Sequence, residues 1–412
     1  MKVRTVAMAA AALLPLGLST GACGARTGLE HDRDASTISP DARAQDPCAP
    51  LFEDCDGSEA DCAGAFRRGC DCGGTPPSYL VSDASRLSIL DRSLAWIGGY
   101  FLVDDAQSHD PDSPGWFHIV DAAGRRRLRT LPGDRLLGHD GTTAYVRAGD
   151  ELHQVDVATG RDIAPPRRLP LRWVVPLGGG DLAVEMSTRS RQARVGLLRA
   201  GLEEPTWSVL DYDTGDVEAA WDGRHVLARG SIGLYVYEPY ENRVAGPFAL
   251  AAEGRVTRFD PGIWPTDAGW LVAWRDTADP TAIGLRALET DGTPRGPVIR
   301  HPDPLGDPGN ARASRRSDGQ VAFLYGRAVP DCVPLPFSLC GEHVLLFVND
   351  EGEPMGPPRR VHHSQYLPDV EGFVWAGYSF AYARQRIEVE NDGLIIRRVG
   401  VELQRICLER LP

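Results

Sequence analysis

The chain has 412 residues, 42% of them hydrophobic, and carries a formal net charge of −13. A balance so acidic argues against a nucleic-acid partner, because phosphate binding needs a clustered basic surface. Lys2 is the only lysine, so once an N-terminal leader is removed no residue remains for a P-loop, a Schiff base or a Ser-Lys dyad.

The leader comes first. Met1-Lys2-Val3-Arg4 is a basic start, and residues 6–18 form an apolar stretch too short to cross a bilayer as a mature helix, the pattern of an export signal over residues 1–22. The run Gly21-Ala22-Cys23 that closes it resembles a bacterial lipobox, in which small residues precede a cysteine that is lipidated and becomes the mature N-terminus. Thr20 stands where that family usually carries Leu, and the alternative is an ordinary signal peptide cut near Ala22 or Ala25. The resemblance implies a lipid anchor on Cys23 and residence in the cell envelope. Gly24, rather than Asp, follows the cysteine, which under the enterobacterial sorting rule implies the outer membrane. Residues 23–47 hold few large apolar side chains and read as a disordered tether.

Residues 48–79 differ in kind. Cys48, Cys55, Cys62, Cys70 and Cys72 lie among many acidic residues, a density that in an exported chain points to disulfides. Only Cys70 and Cys72 are closely spaced, without the second pair that a zinc ribbon needs. Asp54, Asp56 and Asp61 resemble the acidic calcium loops of extracellular repeat proteins, with a solvated acidic loop as the alternative.

From residue 80 to 412 the chain reads as a single all-β domain. Residues 221–248 show the unit most clearly: turns at Asp222-Gly223, Gly230 to Gly233 and Glu238-Pro239 separate short β-prone runs. A glycine followed by such a run recurs at Gly141, Gly180, Gly223, Gly269, Gly319 and Gly372, and a glycine-free copy starts at Asp91 before Leu94-Ala95-Trp96-Ile97. A second marker, an apolar run closing on an acidic turn, recurs at Asp121 to Gly124, Asp156 to Gly160, Glu289 to Gly292 and Asn349 to Gly352. Periods of roughly 40 to 50 residues built only from short strands are the mark of propeller blades. The expectation is one β-propeller of about seven four-stranded blades, with no long helix after the signal. Val155-Asp156 to Arg161 and Leu210-Asp211 to Asp216 resemble the Asp-x-x-Thr-Gly turns of pyrroloquinoline-quinone-type propeller repeats, although Trp221 lies six past Gly215 where that family docks a Trp at four. Kelch and WD signatures are absent.

Catalytic motifs are scarce. Gly377-Tyr-Ser379-Phe-Ala381 lacks the closing glycine of a nucleophile elbow. His362-His363 is placed in a surface loop and not in a metal site, because strand neighbours point to opposite faces. Arg125-Arg126-Arg127 is expected to project into solvent from a loop or sheet edge, with contact to an anionic ligand as the alternative. The leading functional expectation is a membrane-tethered binding or scaffold propeller with a protein or glycan ligand and no cofactor. The alternatives are a propeller enzyme with a site in its central channel and a calcium-dependent adhesion module.

Cysteine arithmetic adds one structural expectation. With Cys23 lipidated, eight cysteines remain; Cys332 and Cys340 bracket a Pro-rich excursion and pair locally. Five cysteines in the 48–72 cluster cannot close on themselves, so Cys407 is expected to bond one of them and bring the last strand to where the chain enters the ring.

Overall fold

A computed structural model describes residues 59–72 and 78–408 apart from loop segments, the longest of which are 83–93, 106–114, 211–218, 251–261 and 330–340. Cys23, the tether, Cys48, Asp54, Cys55, Asp56, Cys332 and Cys340 lie outside the described residues.

The strands form seven antiparallel sheets, each folded as a meander from an inner to an outer strand. In chain order the blades span 94–132, 135–168, 171–210, 219–248, 262–302, 312–364 and 370–406, numbered 1 to 7 below. This is a seven-bladed β-propeller. Between blades, the side chains of one sheet mesh with those of the next: Val155 and Val146 of blade 2 pack on Phe117 and Leu131 of blade 1, and Phe323 and Val344 of blade 6 pack on Leu271 and Leu285 of blade 5. Burying an aromatic or branched aliphatic side chain in this way is worth about 1.5–3 kcal/mol each.

The acidic-turn marker has a structural reason. Gly124, Gly160, Gly292 and Gly352 all have φ between +63° and +85°, close the hairpin from third to fourth strand, and sit against the preceding blade. A Cβ at Gly292 would come within 2.8 Å of Val236 and 2.9 Å of Phe248 in blade 4. The acidic residue caps the same turn: Asp156 accepts the Thr159 N–H at 2.6 Å and Asp291 the Thr293 N–H at 2.9 Å. Blade 4 achieves the same with Asn242, left-handed at φ 50°, whose side chain accepts the Ser208 hydroxyl of blade 3 at 2.8 Å.

Blade 7 is closed differently. Three strands come from the C-terminal end, and the fourth, Tyr79–Ser82, comes from the other end of the ring, with Tyr79 opposite Leu403 and Leu80 opposite Glu402. No backbone hairpin joins these two strands. Cys407, which follows the strand Ile395–Ile406 directly, is instead bonded to Cys70, a few residues before Tyr79, with Cα atoms 5.6 Å apart. The disulfide occupies the place of the hairpin, as the cysteine arithmetic requires. Cys62 is also disulfide-bonded.

Cys70 sits on a helix, Glu59–Cys72, the one short helix among the described residues, inside the segment that the sequence marked only as Cys-rich. Cys62, Ala65, Phe66 and Cys70 recur at i, i+3, i+4 and i+8 and are all buried, so the cysteines belong to an amphipathic stripe as well as to bridges. Asp61 is therefore helical and does not sit in an acidic loop.

Two repeat markers fall one strand early. Leu94–Ile97 and the run after Gly372 are inner strands, whereas the other five marker glycines precede second strands. The equivalent turns in blades 1 and 7 are Gly98-Gly99 and Gly377, all with positive φ. The count of seven stands. The two pyrroloquinoline-quinone-like turns also differ in position: Asp156 to Gly160 follows a third strand, but Leu210 ends the fourth strand of blade 3. His362 and His363 lie on the strand Arg359–Ser364 and not in a loop.

Candidate functional site

The seven inner strands converge on the axis and enclose a cavity of about 490 Å³ to which every blade contributes. Their close approach needs a missing side chain at Gly138, where a Cβ would lie 1.9 Å from the Val174 carbonyl oxygen of the next blade. The wall is mixed. Leu94, Leu136, Val174, Val175 and Phe373 are apolar, and Trp96, Trp264 and Trp375 supply three half-buried indoles.

The polar groups are cationic or neutral. Arg315 is fixed by its own turn, with Nε donating to the Gly319 carbonyl at 3.0 Å, Nη1 to the Pro265 carbonyl and Nη2 to Asp350 at 3.2 Å. Arg312 donates from Nε to the Val370 carbonyl at 3.2 Å. Ser314 Oγ accepts the Trp375 backbone N–H at 2.8 Å, and His139 completes the set. The Trp375 indole N–H is buried with no acceptor among the described residues. Such an orphan donor costs on the order of 1–3 kcal/mol unless water or a ligand accepts from it.

Among the described residues lining this cavity none is a carboxylate. Carboxylates elsewhere have structural partners: the buried Glu185 and Glu342 accept from the Trp173 indole and from Arg327, and the partly buried Glu402 accepts from Arg384. No three His, Cys, Asp or Glu side chains converge as metal ligands among the described residues.

The residues that resembled catalytic motifs are spent on packing. Ser379 is 1% exposed and accepts Arg405 at 3.0 and 2.6 Å. Arg405 is stacked between Phe66 of the helix and Tyr378, at 4.1 and 4.2 Å from the ring centroids, and also donates to the Ala122 carbonyl of blade 1 at 3.2 Å. One buried guanidinium thus joins the helix, blade 7 and blade 1. Burial pulls its pKa below the usual arginine range.

Sequence reasoning named no channel residue. A signal was nevertheless present: Trp96, His139 and Trp375 each stand two residues before the glycine of their turn, at Gly98, Gly141 and Gly377. That offset marks the exit end of an inner strand.

No family model and no curated protein matches the chain. Solved structures do, at low similarity. Kuenenia stuttgartiensis hydrazine synthase is 10% identical with a TM-score of 0.44, over 62% of this chain and 78% of that one. The WD40 domain of SCAP from fission yeast is 10% identical with a TM-score of 0.39, over 76% and 84%. A calcium-binding protein, regucalcin from Agrobacterium tumefaciens, is 12% identical with a TM-score of 0.40, over 80% and 94%.

Proposed function

We propose that the protein is an exported, lipid-anchored binding propeller whose central channel takes a small ligand with a stackable face, of which a saccharide is the natural case. The observation that carries the binding reading is the channel lining: three half-buried indoles and fixed arginines around an open volume, without a carboxylate among the described lining residues. Such a wall stacks rings and donates hydrogen bonds, and its described lining holds no paired acids of the kind that glycoside hydrolysis uses. Export draws support from the buried Cys70–Cys407 bridge, since structural disulfides persist in oxidising compartments. Anchoring rests on Cys23.

Tryptophan fluorescence, titrated with a panel of oligosaccharides, tests the binding reading. A saturable change that disappears in Trp264→Ala and Trp375→Ala is expected; no response to any saccharide, or an undiminished one in both variants, contradicts it. For the anchor, Cys23→Ser is expected to move the protein from the membrane to the soluble fraction with its melting temperature unchanged. Membrane association that survives the substitution in cells contradicts that reading.

A further inference from the structure

On a chain of net charge −13, most arginines with a visible role are neutralised. Arg243 in blade 4 pairs with Glu238 and Glu241 at 2.7 and 3.2 Å, Arg295 with Glu351 at 2.8 Å, and Arg384 with Glu402 at 3.2 Å. The outer rim of blades 1 and 2 gathers four that are not, although exposed arginines without an ion pair among the described residues also occur elsewhere, at Arg199, Arg224, Arg359 and Arg360. Arg126 and Arg127 at the start of the strand Arg127–Pro132, and Arg161 and Arg168 on the split outer edge of blade 2, are exposed and form no ion pair among the described residues. Acids share this rim: Asp162 and Glu151 face His153 at 3.2 and 3.8 Å, Asp156 lies opposite Arg161 across the strand pair, and Asp121 accepts the Arg126 backbone N–H at 3.3 Å.

The same rim exposes apolar side chains. Ile163 is 57% exposed, Leu80 on the adjoining strand of blade 7 is 41% exposed, and Leu128 is 40% exposed. The segments are contiguous. The Arg127 backbone N–H donates to the Tyr79 hydroxyl at 2.7 Å, bridging blades 7 and 1, and the Arg129 side chain covers Gly160, bridging blades 1 and 2. The outer edge of blade 2 is itself interrupted at Pro165-Pro166, which have no N–H to offer a further strand, so another sheet cannot add there.

We infer that this rim docks on an anionic lipid surface, the arginines meeting phosphate-bearing headgroups while Leu80, Leu128 and Ile163 enter the interfacial layer. Charge complementarity is one argument: four exposed arginines without an ion pair among the described residues lie together here, on a chain of net negative charge. The path of the chain is the other. The strand Tyr79–Ser82, by which the N-terminal part enters the ring, forms the border of the rim. An anchor at Cys23 is connected to the ring by way of this strand, which puts the rim on the anchored path of the chain. The orientation rests on the anchored reading, whereas the affinity of the rim for lipid does not.

The test uses the full chain carrying Cys23→Ser, so that no acyl chain contributes, and measures cosedimentation with phosphatidylglycerol-containing vesicles and with pure phosphatidylcholine vesicles. Binding to the former only, weakened by added salt, is expected. Arg127→Gln, Arg161→Gln and Arg168→Gln together are expected to weaken it roughly 100-fold, about fivefold per arginine, without a change in melting temperature. Arg243→Gln, in blade 4, is expected to bind like its parent. Equal or absent binding to the two vesicle types overturns the proposal, as does a triple variant that binds as tightly as its parent. Failure of the anchor is read separately, from the fractionation of cells expressing the unsubstituted chain.

Discussion

Blade 7 and blade 5 bring their outer strand into register by different means. In blade 5 the backbone turns at Glu289 to Gly292, Asp291 caps the turn, and Gly292 fits against Val236 and Phe248 of blade 4. In blade 7 the same corner is open along the backbone and is closed by Cys70–Cys407, with Arg405 clamped between Phe66 and Tyr378 above blade 1. A hairpin turn forms locally and early, whereas a bridge over a separation of 337 residues forms only when the whole ring is in place. The seventh blade therefore holds the ring shut by chemistry that depends on the compartment.

The comparison breaks most sharply at the bridge. Cys407→Ser is expected to cost about 3–5 kcal/mol, read as a lower urea midpoint, and reductant, which also breaks the bridge at Cys62, is expected to lower the parent at least as far. An unchanged midpoint in either case denies the bridge its role. Next is the hairpin of blade 5. Gly292→Ala places a Cβ 2.8 Å from Val236 at a φ of +84° and is expected to cost about 2–3 kcal/mol. Gly201→Ala, at φ +77° with nothing within 4 Å, bears only the backbone strain and is expected to cost about 1 kcal/mol. Equal losses at the two sites refute blade docking as the reason for the glycine.

Arg405→Met is expected to lose about 1–2 kcal/mol. Two cation–π contacts and several hydrogen bonds disappear, but the desolvation of a buried cation disappears with them. Urea unfolding that shows a gain in stability places desolvation above the contacts.

The smallest effect is acid. The Asp156 and Asp291 carboxyls are held below their ordinary value of 3.8, first by the Thr159 and Thr293 side chains and then by the backbone N–H groups of the same residues. A depressed carboxylate adds stability that is present above pH 3.8 and is lost as the pH falls through its folded value. Hydrogen exchange below pH 3.8 is expected to loosen the turns of blades 2 and 5 before the strand Tyr79–Ser82, whose closure carries no such carboxylate. Earlier loosening at Tyr79–Ser82 contradicts this order.

The repeat was legible because most of its marker glycines answer to backbone geometry: Gly180, Gly223, Gly269 and Gly319 of the first marker and Gly124, Gly160, Gly292 and Gly352 of the second are all left-handed at turns. The bridge was legible by parity alone. The helix Glu59–Cys72 was not, because its buried stripe is built partly from cysteines, which read as bridge partners before they read as core. The channel escaped for another reason. Its residues come one to four from each blade, and only the folded ring gathers Trp96, Trp264 and Trp375. The rim lies between these cases: the arginine run was visible, but its continuation at Arg161 and Arg168 depends on which strands lie outermost.

Peptide mapping without reduction, on protein alkylated as the cells that make it are lysed, tests the closure most directly. A peptide pair linked through Cys70 and Cys407 is the result the account predicts. Alkylated, unlinked Cys70 and Cys407 would contradict both the disulfide as the seventh blade's hairpin and the oxidising compartment on which the proposed function depends.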